Sequence, residues 1–177
     1  YLLLTHLNLK MTCTVIVGGF YGDEGKGKII AYLSIKDDPR IAVRGGVGAN
    51  AGHTFVYNNQ SFKVRMLPSA VLNPKTKLLI GAGVLVTPEI LREESRKYNA
   101  EKRIIIDSHC GIIHESHMKR DMNDVHLKKI VGTTGSGTGP ANSDRALRIL
   151  KLAKDIYELK HYIGNVSNIV NESIDED

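Results

Sequence analysis

Apolar residues in this chain fall into short runs, and most runs end at glycine. Thr14-Val15-Ile16-Val17 is a β-branched run stopped by Gly18-Gly19, the pattern of a buried strand. A glycine-rich turn follows, then a helical segment through Ile29, Ile30 and Leu33. Ile41-Ala42-Val43 predicts a second strand, which also runs into glycines. Thr54 to Tyr57 and Ser61 to Met66 flank Asn58-Asn59 and predict a hairpin. Leu78-Leu79-Ile80 and Arg103 to Asp107 predict further strands.

Helix signals alternate with these strands. In Thr87-Pro88-Glu89, Thr suits the N-cap, Pro the first helical position and Glu the positive end of the dipole. After Pro140, residues Ala146, Ile149, Leu150, Ala153, Ile156 and Tyr157 recur at steps of three and four, predicting the clearest helix of the chain. Arg145, Arg148, Lys151 and Lys154 lie largely off that stripe. The alternation predicts an α/β fold with a mainly parallel central sheet and flanking helices. There is no internal repeat and no low-complexity segment.

Composition narrows the class. A length of 177 residues, 42% hydrophobic and 24% charged, is ordinary for a globular domain. No apolar run approaches the ~20 residues of a membrane span. The net charge is +5, but Glu172, Asp175, Glu176 and Asp177 crowd the last six positions, so residues 1–170 set 24 basic residues against 15 acidic ones. Few aromatics and no long basic block argue against nucleic acid and for a solvated surface, and a small phosphorylated ligand also suits this sign. Cys13 and Cys110 make no disulfide framework and fit a reducing, cytoplasmic setting, with Cys13 expected in packed core. Residues 1–10 lack the basic start and cleavage site of a signal peptide. They are expected to be an extension foreign to the native protein, with the first Met at Met11.

Three glycine-rich stretches carry the chemistry. Gly18 to Lys28, reading Gly-Gly-Phe-Tyr-Gly-Asp-Glu-Gly-Lys-Gly-Lys, lies between a predicted strand and a helix. Glycines let backbone N–H groups approach an anion, and a helix N-terminus and two lysines add positive charge. Gly22 to Lys28 fits the P-loop spacing, but Ile29 stands where that loop needs Ser or Thr for magnesium. Asp23 and Glu24 would repel a phosphate, so a carboxylate there suits a metal ligand or a base acting on a second substrate. The plain alternative is a tight turn carrying surface charges. Arg44 to Thr54, with Asn50 and His53, follows the next strand, and parallel strand ends share one edge, where ligands bind. Asn50 can donate to and accept from a heterocycle, and His53 suits a general acid or an ordinary loop residue. Val131 to Pro140 is a third anion cradle, rich in hydroxyls and glycine. His109, Cys110, His114 and His117 cluster, but their spacing is poor for zinc.

Together these motifs resemble adenylosuccinate synthetase. That family carries W-G-D-E-G-K-G-K, N-A-G-H-T and G-T-T-G-R-G-I-G-P in this order, matched by Tyr21 to Lys28, Asn50 to Thr54 and Gly132 to Pro140. Leu79 to Glu89 resembles its I-G-N-G-V-V-V-x-P-E stretch, and the match is collinear from about Met11 to Leu147. The spacing looks like the short, archaeal-type branch. The resemblance implies ligation of IMP and L-aspartate, driven by GTP with Mg2+, through phosphorylation of the purine 6-oxygen. It implies Asp23 as base and magnesium ligand, His53 as acid, and the Gly52 carbonyl as a second metal ligand. It implies Gly22, Glu24, Gly25, Lys26, Gly27, Gly52 and Thr54 around GTP. For IMP it implies Asp23, Lys26, Asn50, Ala51, Gly52, His53 and Thr134, the last near the 5′-phosphate. Arg148 aligns with an arginine that reaches the neighbouring subunit's IMP in the family's cytoplasmic homodimer.

The chain departs from the pattern in places. Phe20-Tyr21 replaces Q-W, Val47-Gly48-Ala49 precedes Asn50 where a shorter glycine pair is usual, and Ser136 replaces the arginine of G-T-T-G-R-G. The guanine-reading K-x-D segment and the arginine-rich aspartate loop do not occur. Residues 11–177 are therefore expected to be the N-terminal part of one synthetase-like domain, inactive alone. The alternative function is a nucleotide- or phosphate-binding module without catalysis.

Overall fold

A computed structural model describes residues 13–19 and 22–175 of the chain. The expectations for residues 1–10, the Phe20-Tyr21 pair and the acidic end at 176–177 lie outside them. Four parallel strands form the central sheet, β1 Ile41–Arg44, β4 Lys77–Ile80, β6 Ile104–Asp107 and β8 Ile163–Gly164, in the order β1-β4-β6-β8. Ala42 lies opposite Leu78, Leu79 opposite Ile105, and Ile106 opposite Ile163. Leu78, Leu79, Ile80 and Ile106 are wholly buried, as expected of strands covered on both faces. Each contributes ~1.5–3 kcal/mol by leaving water.

In sequence between β1 and β4 comes a separate two-stranded hairpin of β2 His53–Tyr57 and β3 Gln60–Val64. Asn58 and Asn59 turn it with φ of 47° and 61°, the left-handed pair that asparagine tolerates. A short parallel ribbon joins β5 Leu85–Val86 to β7 Gly111–Ile112. Among the described residues five α-helices flank the sheets: α1 Lys26–Lys36, α2 Pro88–Lys97, α3 Glu115–Asn123, α4 Thr138–Ala146 and α5 Val166–Asp175. In α1 the small residues Gly27, Ala31 and Ser34 form the buried face, whereas Ile29, Tyr32 and Ile35 stay exposed. Thr87 is the N-cap of α2 and Pro88 follows it, but the Thr87 hydroxyl makes no capping bond and is buried without a partner.

Two expectations fail. Thr14 to Val17 forms no ladder; Val15 and Val17 are 76% and 79% exposed, and Cys13 is exposed rather than in the core. A strand exists only when its backbone is paired, and residues 13–19 pair with no described strand, although β1 has an unpaired outer edge among the described residues. The long helix after Pro140 is also absent. Helix α4 begins earlier and ends at Ala146, and Arg148 turns left-handed with φ 61°. The chain then gives its backbone to β7 instead: Ile112 N donates to Lys151 O at 2.9 Å and Ala153 N to Cys110 O at 2.8 Å. Ile149 and Tyr157, two members of the expected stripe, are consequently exposed.

Candidate active site

The parallel strands β1, β4 and β6 end on one edge, and the loops that leave them are laced together. Leu85 N donates to Val47 O at 2.9 Å, Gly111 N to Val84 O at 3.1 Å, and Arg145 Nη1 of α4 to Gly83 O at 2.9 Å. The second glycine-rich loop leaves β1 on this edge.

The first loop turns through Gly22 and Gly25, with φ of 98° and 83°, and Gly25 is the N-cap of α1. The helix start leaves forward-pointing amides beside Lys26 and Gly27. Lys26 Nζ pairs with Glu24 Oε2 at 2.6 Å, so the acid that looked foreign to a phosphate loop shields the lysine. The Asp23 side chain is exposed to solvent. Gly27 is buried against His53: a Cβ there would sit 2.5 Å from His53 Cβ and 2.6 Å from Cγ. The first two loops therefore meet at the helix N-terminus.

Two guanidinium groups shape the second loop. Arg44 Nη2 donates to Gly48 O at 2.9 Å and to Ala51 O at 3.1 Å, and Arg65 Nε donates to Ala49 O at 2.8 Å. Gly48 N donates to Asn50 Oδ1 at 3.3 Å. Behind them Glu94 of α2 is buried, and its carboxylate accepts from Arg65 N at 2.5 Å, Met66 N at 3.0 Å and Leu67 N at 2.9 Å. Burial lowers the Arg44 pKa, and the Glu94 charge opposes that fall. His53 is also lowered, by burial first and then by the charges of Arg44 and Lys26. The imidazole is thus held neutral, able to donate a hydrogen bond from one nitrogen. Sequence reasoning included Arg44 in the second stretch without giving it a role, and missed Arg65 and Glu94. One signal existed for Glu94, which lies three positions after buried Leu91 on the inner face of α2.

In the third loop Gly132, Gly135 and Gly137 all take positive φ. Thr134 is exposed and its hydroxyl donates to Ser136 Oγ at 3.0 Å, while Ser136 is buried. Arg148 is exposed beyond the far end of α4. At 1.5 Å per residue, the nine residues of α4 set it roughly 14 Å along the axis from the loop. His53 thus stands against the first loop, with Asn50, Ala51 and Gly52 just before it in the chain and Thr54 just after it, whereas Thr134 and Arg148 stand at opposite ends of another helix.

The histidine cluster is engaged otherwise. His117 Nδ1 accepts from His114 N at 2.9 Å, which puts the ring proton on Nε2, 3.1 Å from Asp144 Oδ2. Burial, with Asp107 nearby, pushes the Cys110 thiol up to about 12. No group of three or more His, Cys, Asp or Glu among the described residues would hold a metal. Magnesium does not require one, since it takes one or two carboxylates plus substrate phosphates and water. The exposed Asp23 carboxylate and Gly52 carbonyl are hard oxygen donors of that kind and fit it.

Residues 15–175 match the family model for adenylosuccinate synthetase. The chain is 55% identical over 168 residues to the adenylosuccinate synthetase of Methanocaldococcus jannaschii, covering 93% of this chain and 49% of that one. It is 53% identical over 168 residues to that of Methanococcus vannielii, with shares of 93% and 50%. The chain therefore spans about half the length of the relatives it matches. Among solved structures, fully ligated adenylosuccinate synthetase from Plasmodium falciparum superposes with a TM-score of 0.72 at 29% identity, over 90% of this chain and 39% of that one. A cyanophage S-2L succinoaminodeoxyadenylate synthetase gives 0.67 at 23% identity, over 82% and 43%, a likeness of fold alone.

Proposed function

The chain belongs to the adenylosuccinate synthetase family, and from that premise we propose that its protein ligates IMP and L-aspartate to adenylosuccinate at the expense of GTP. The observation that carries this reading is the meeting of Gly27 with His53. A nucleoside triphosphate whose phosphates rest on Gly25, Lys26 and Gly27 has its terminal groups beside the imidazole. Gly22, Glu24, Gly52 and Thr54 border the same place.

Asp23 takes the N1 proton of IMP, so that the 6-oxygen attacks the γ-phosphorus of GTP and GDP leaves. The Asp23 side chain is exposed and open to a second substrate. Such base catalysis contributes roughly 10²–10⁴ in rate. His53, held neutral by burial, Arg44 and Lys26, donates from its N–H to the phosphate oxygens. Phosphoryl transfer is chiefly positioning and charge neutralisation. Magnesium, held by Asp23 and the Gly52 carbonyl, would supply further neutralisation of the phosphates. The aspartate amine then displaces phosphate from the 6-position. Asn50, Ala51, Lys26 and Thr134 hold IMP, with Thr134 at its 5′-phosphate.

Arg148 serves the IMP of a second subunit in a homodimer, and its place at the far end of α4 from Thr134 supports that division. A cytoplasmic location accompanies this reading; no described helix is long and apolar enough to cross a membrane. The test is the absorbance change of IMP with GTP, aspartate and Mg2+. Asp23→Asn should abolish it, and substantial activity in that variant rejects Asp23 as base. The start of α1 at Gly25 and Lys26 suits, for the chain by itself, a second reading as a nucleotide-binding module without turnover. Calorimetric binding of IMP or GTP without adenylosuccinate formation would mark it.

A further inference from the structure

We infer that Asp121 is a positioning residue that holds the 132–138 loop in the shape that takes the nucleotide's phosphate, an inference resting on the placement of Thr134 at that phosphate. Asp121 lies on α3, only 2% exposed. A buried carboxylate is costly unless its oxygens are met by donors. Here the third loop supplies them. Oδ1 accepts from the Thr133 hydroxyl at 2.6 Å and Oδ2 from Gly137 N at 2.8 Å. Thr133 Oγ1 accepts in turn from Gly135 N at 3.2 Å. One side chain thus pins residues 133, 135 and 137, and Thr134 projects between the pins.

The loop lies flat on α3 at this point. A Cβ on Gly137 would sit 2.9 Å from Met118 N and 3.0 Å from the His117 carbonyl carbon. On the other side, Ser136 Oγ lies 3.0 Å from both Thr134 Oγ1 and Thr138 Oγ1. A hydroxyl both donates and accepts, so this row can reverse and turn the Thr134 proton toward an incoming phosphate oxygen. Ser136 stands where the family motif has arginine, so here alignment of neutral donors replaces a full charge. Alignment needs a fixed backbone, and Asp121 fixes it. Its negative charge opposes phosphate binding, so its benefit is geometric. Asn at this position can keep both bonds, its oxygen accepting from Gly137 N and its amide donating to Thr133 Oγ1.

The test is calorimetric titration of the chain and its variants with IMP and with inosine, which lacks the phosphate. Asp121→Ala should weaken IMP about tenfold, the scale of one lost hydrogen bond to a charged group, and leave inosine within about twofold. Asp121→Asn should bind IMP within about threefold of wild type or more tightly. Thr133→Val, which removes one arm, should fall between. Amide exchange at Gly135 and Gly137 should quicken in Asp121→Ala and not in Asp121→Asn. An unchanged IMP-to-inosine ratio in Asp121→Ala, or equal weakening of both ligands, overturns the inference, as does a tenfold loss in Asp121→Asn. A wild-type chain without preference for IMP, yet with exchange quickened in Asp121→Ala, shows instead that the placement of Thr134 has failed while the clamp stands.

Discussion

Gly27 and His53 touch so closely that a methyl group on the glycine would lie 2.5 Å from the histidine Cβ. Gly27→Ala should therefore push α1 off the hairpin, at about 1–3 kcal/mol for an overpacked contact. Truncating His53 to alanine removes the contacts with Cγ and Nδ1 but leaves the one with Cβ, so it should relieve the clash only in part. Gly27→Ala combined with His53→Gly should recover part of the lost stability in urea unfolding. Strict additivity of the two changes would show that the contact does not exist. GTP affinity should fall in Gly27→Ala alone, since the amides of the helix start move with α1.

Glu94 meets three backbone N–H groups at once, those of Met66 and Leu67 buried and that of Arg65 part-buried. Glu94→Ala leaves them unsatisfied and should cost about 3–5 kcal/mol, because each orphaned donor carries ~1–3 kcal/mol. Glu94→Gln turns an NH2 group toward those donors and should cost less, about 1–3 kcal/mol. On the same helix Glu89 pairs with Arg92 at 3.6 Å in the open, and such a pair is worth ~0–1 kcal/mol. Glu89→Ala is thus the control, and an equal loss in Glu89→Ala and Glu94→Ala would sink the argument. Arg65 should shift with Glu94→Ala and release Ala49 O, altering the loop that carries Asn50.

The hairpin at Asn58-Asn59 and the start of α2 were readable in the sequence because their causes are local. Left-handed asparagines and a proline at a helix start act within a few residues. Thr14 to Val17 has the composition of a strand, but pairing is supplied by a partner, which no local pattern announces. The stripe from Ala146 to Tyr157 has helical spacing, yet the hydrogen bonds of Lys151 O and Ala153 N to β7 and its flank lie about forty residues away in sequence. The same divide runs through the site. Glycines, lysines and hydroxyls mark the three loops. Arg44, Arg65, Glu94 and Asp121 act on backbone from beneath, and a side chain bonded to a distant carbonyl or N–H leaves no periodicity to read.

The two cysteines should differ sharply toward a maleimide. Cys13 is exposed. Cys110 is fully buried, its Sγ donates to Gly81 O at 3.2 Å, and its thiol is pushed up to about 12, so almost no thiolate exists at neutral pH. Mass spectrometry of the native chain should find one label, on Cys13, with the second appearing only in denaturant. Rapid labelling of both in buffer would show that the β6–β7 turn opens.

Asp144 should give the fold an acid limb. The hydrogen bond from Arg120 holds its carboxyl below the ordinary range, helped by His117 and opposed by burial. Arg120 Nη1 lies 2.8 Å and 2.9 Å from the two Asp144 oxygens, linking α3 to α4. Since the folded value is depressed, the unfolded chain binds the proton first. The contribution is therefore complete above the unfolded value near ~4 and is lost as pH falls through the folded one. Asp144→Asn should lower the melting temperature at pH 7, and the gap from wild type should narrow below about pH 4. A gap that stays constant from pH 7 to about pH 2.5 would mean that the carboxylate's charge contributes nothing, leaving packing alone to hold α3 on α4.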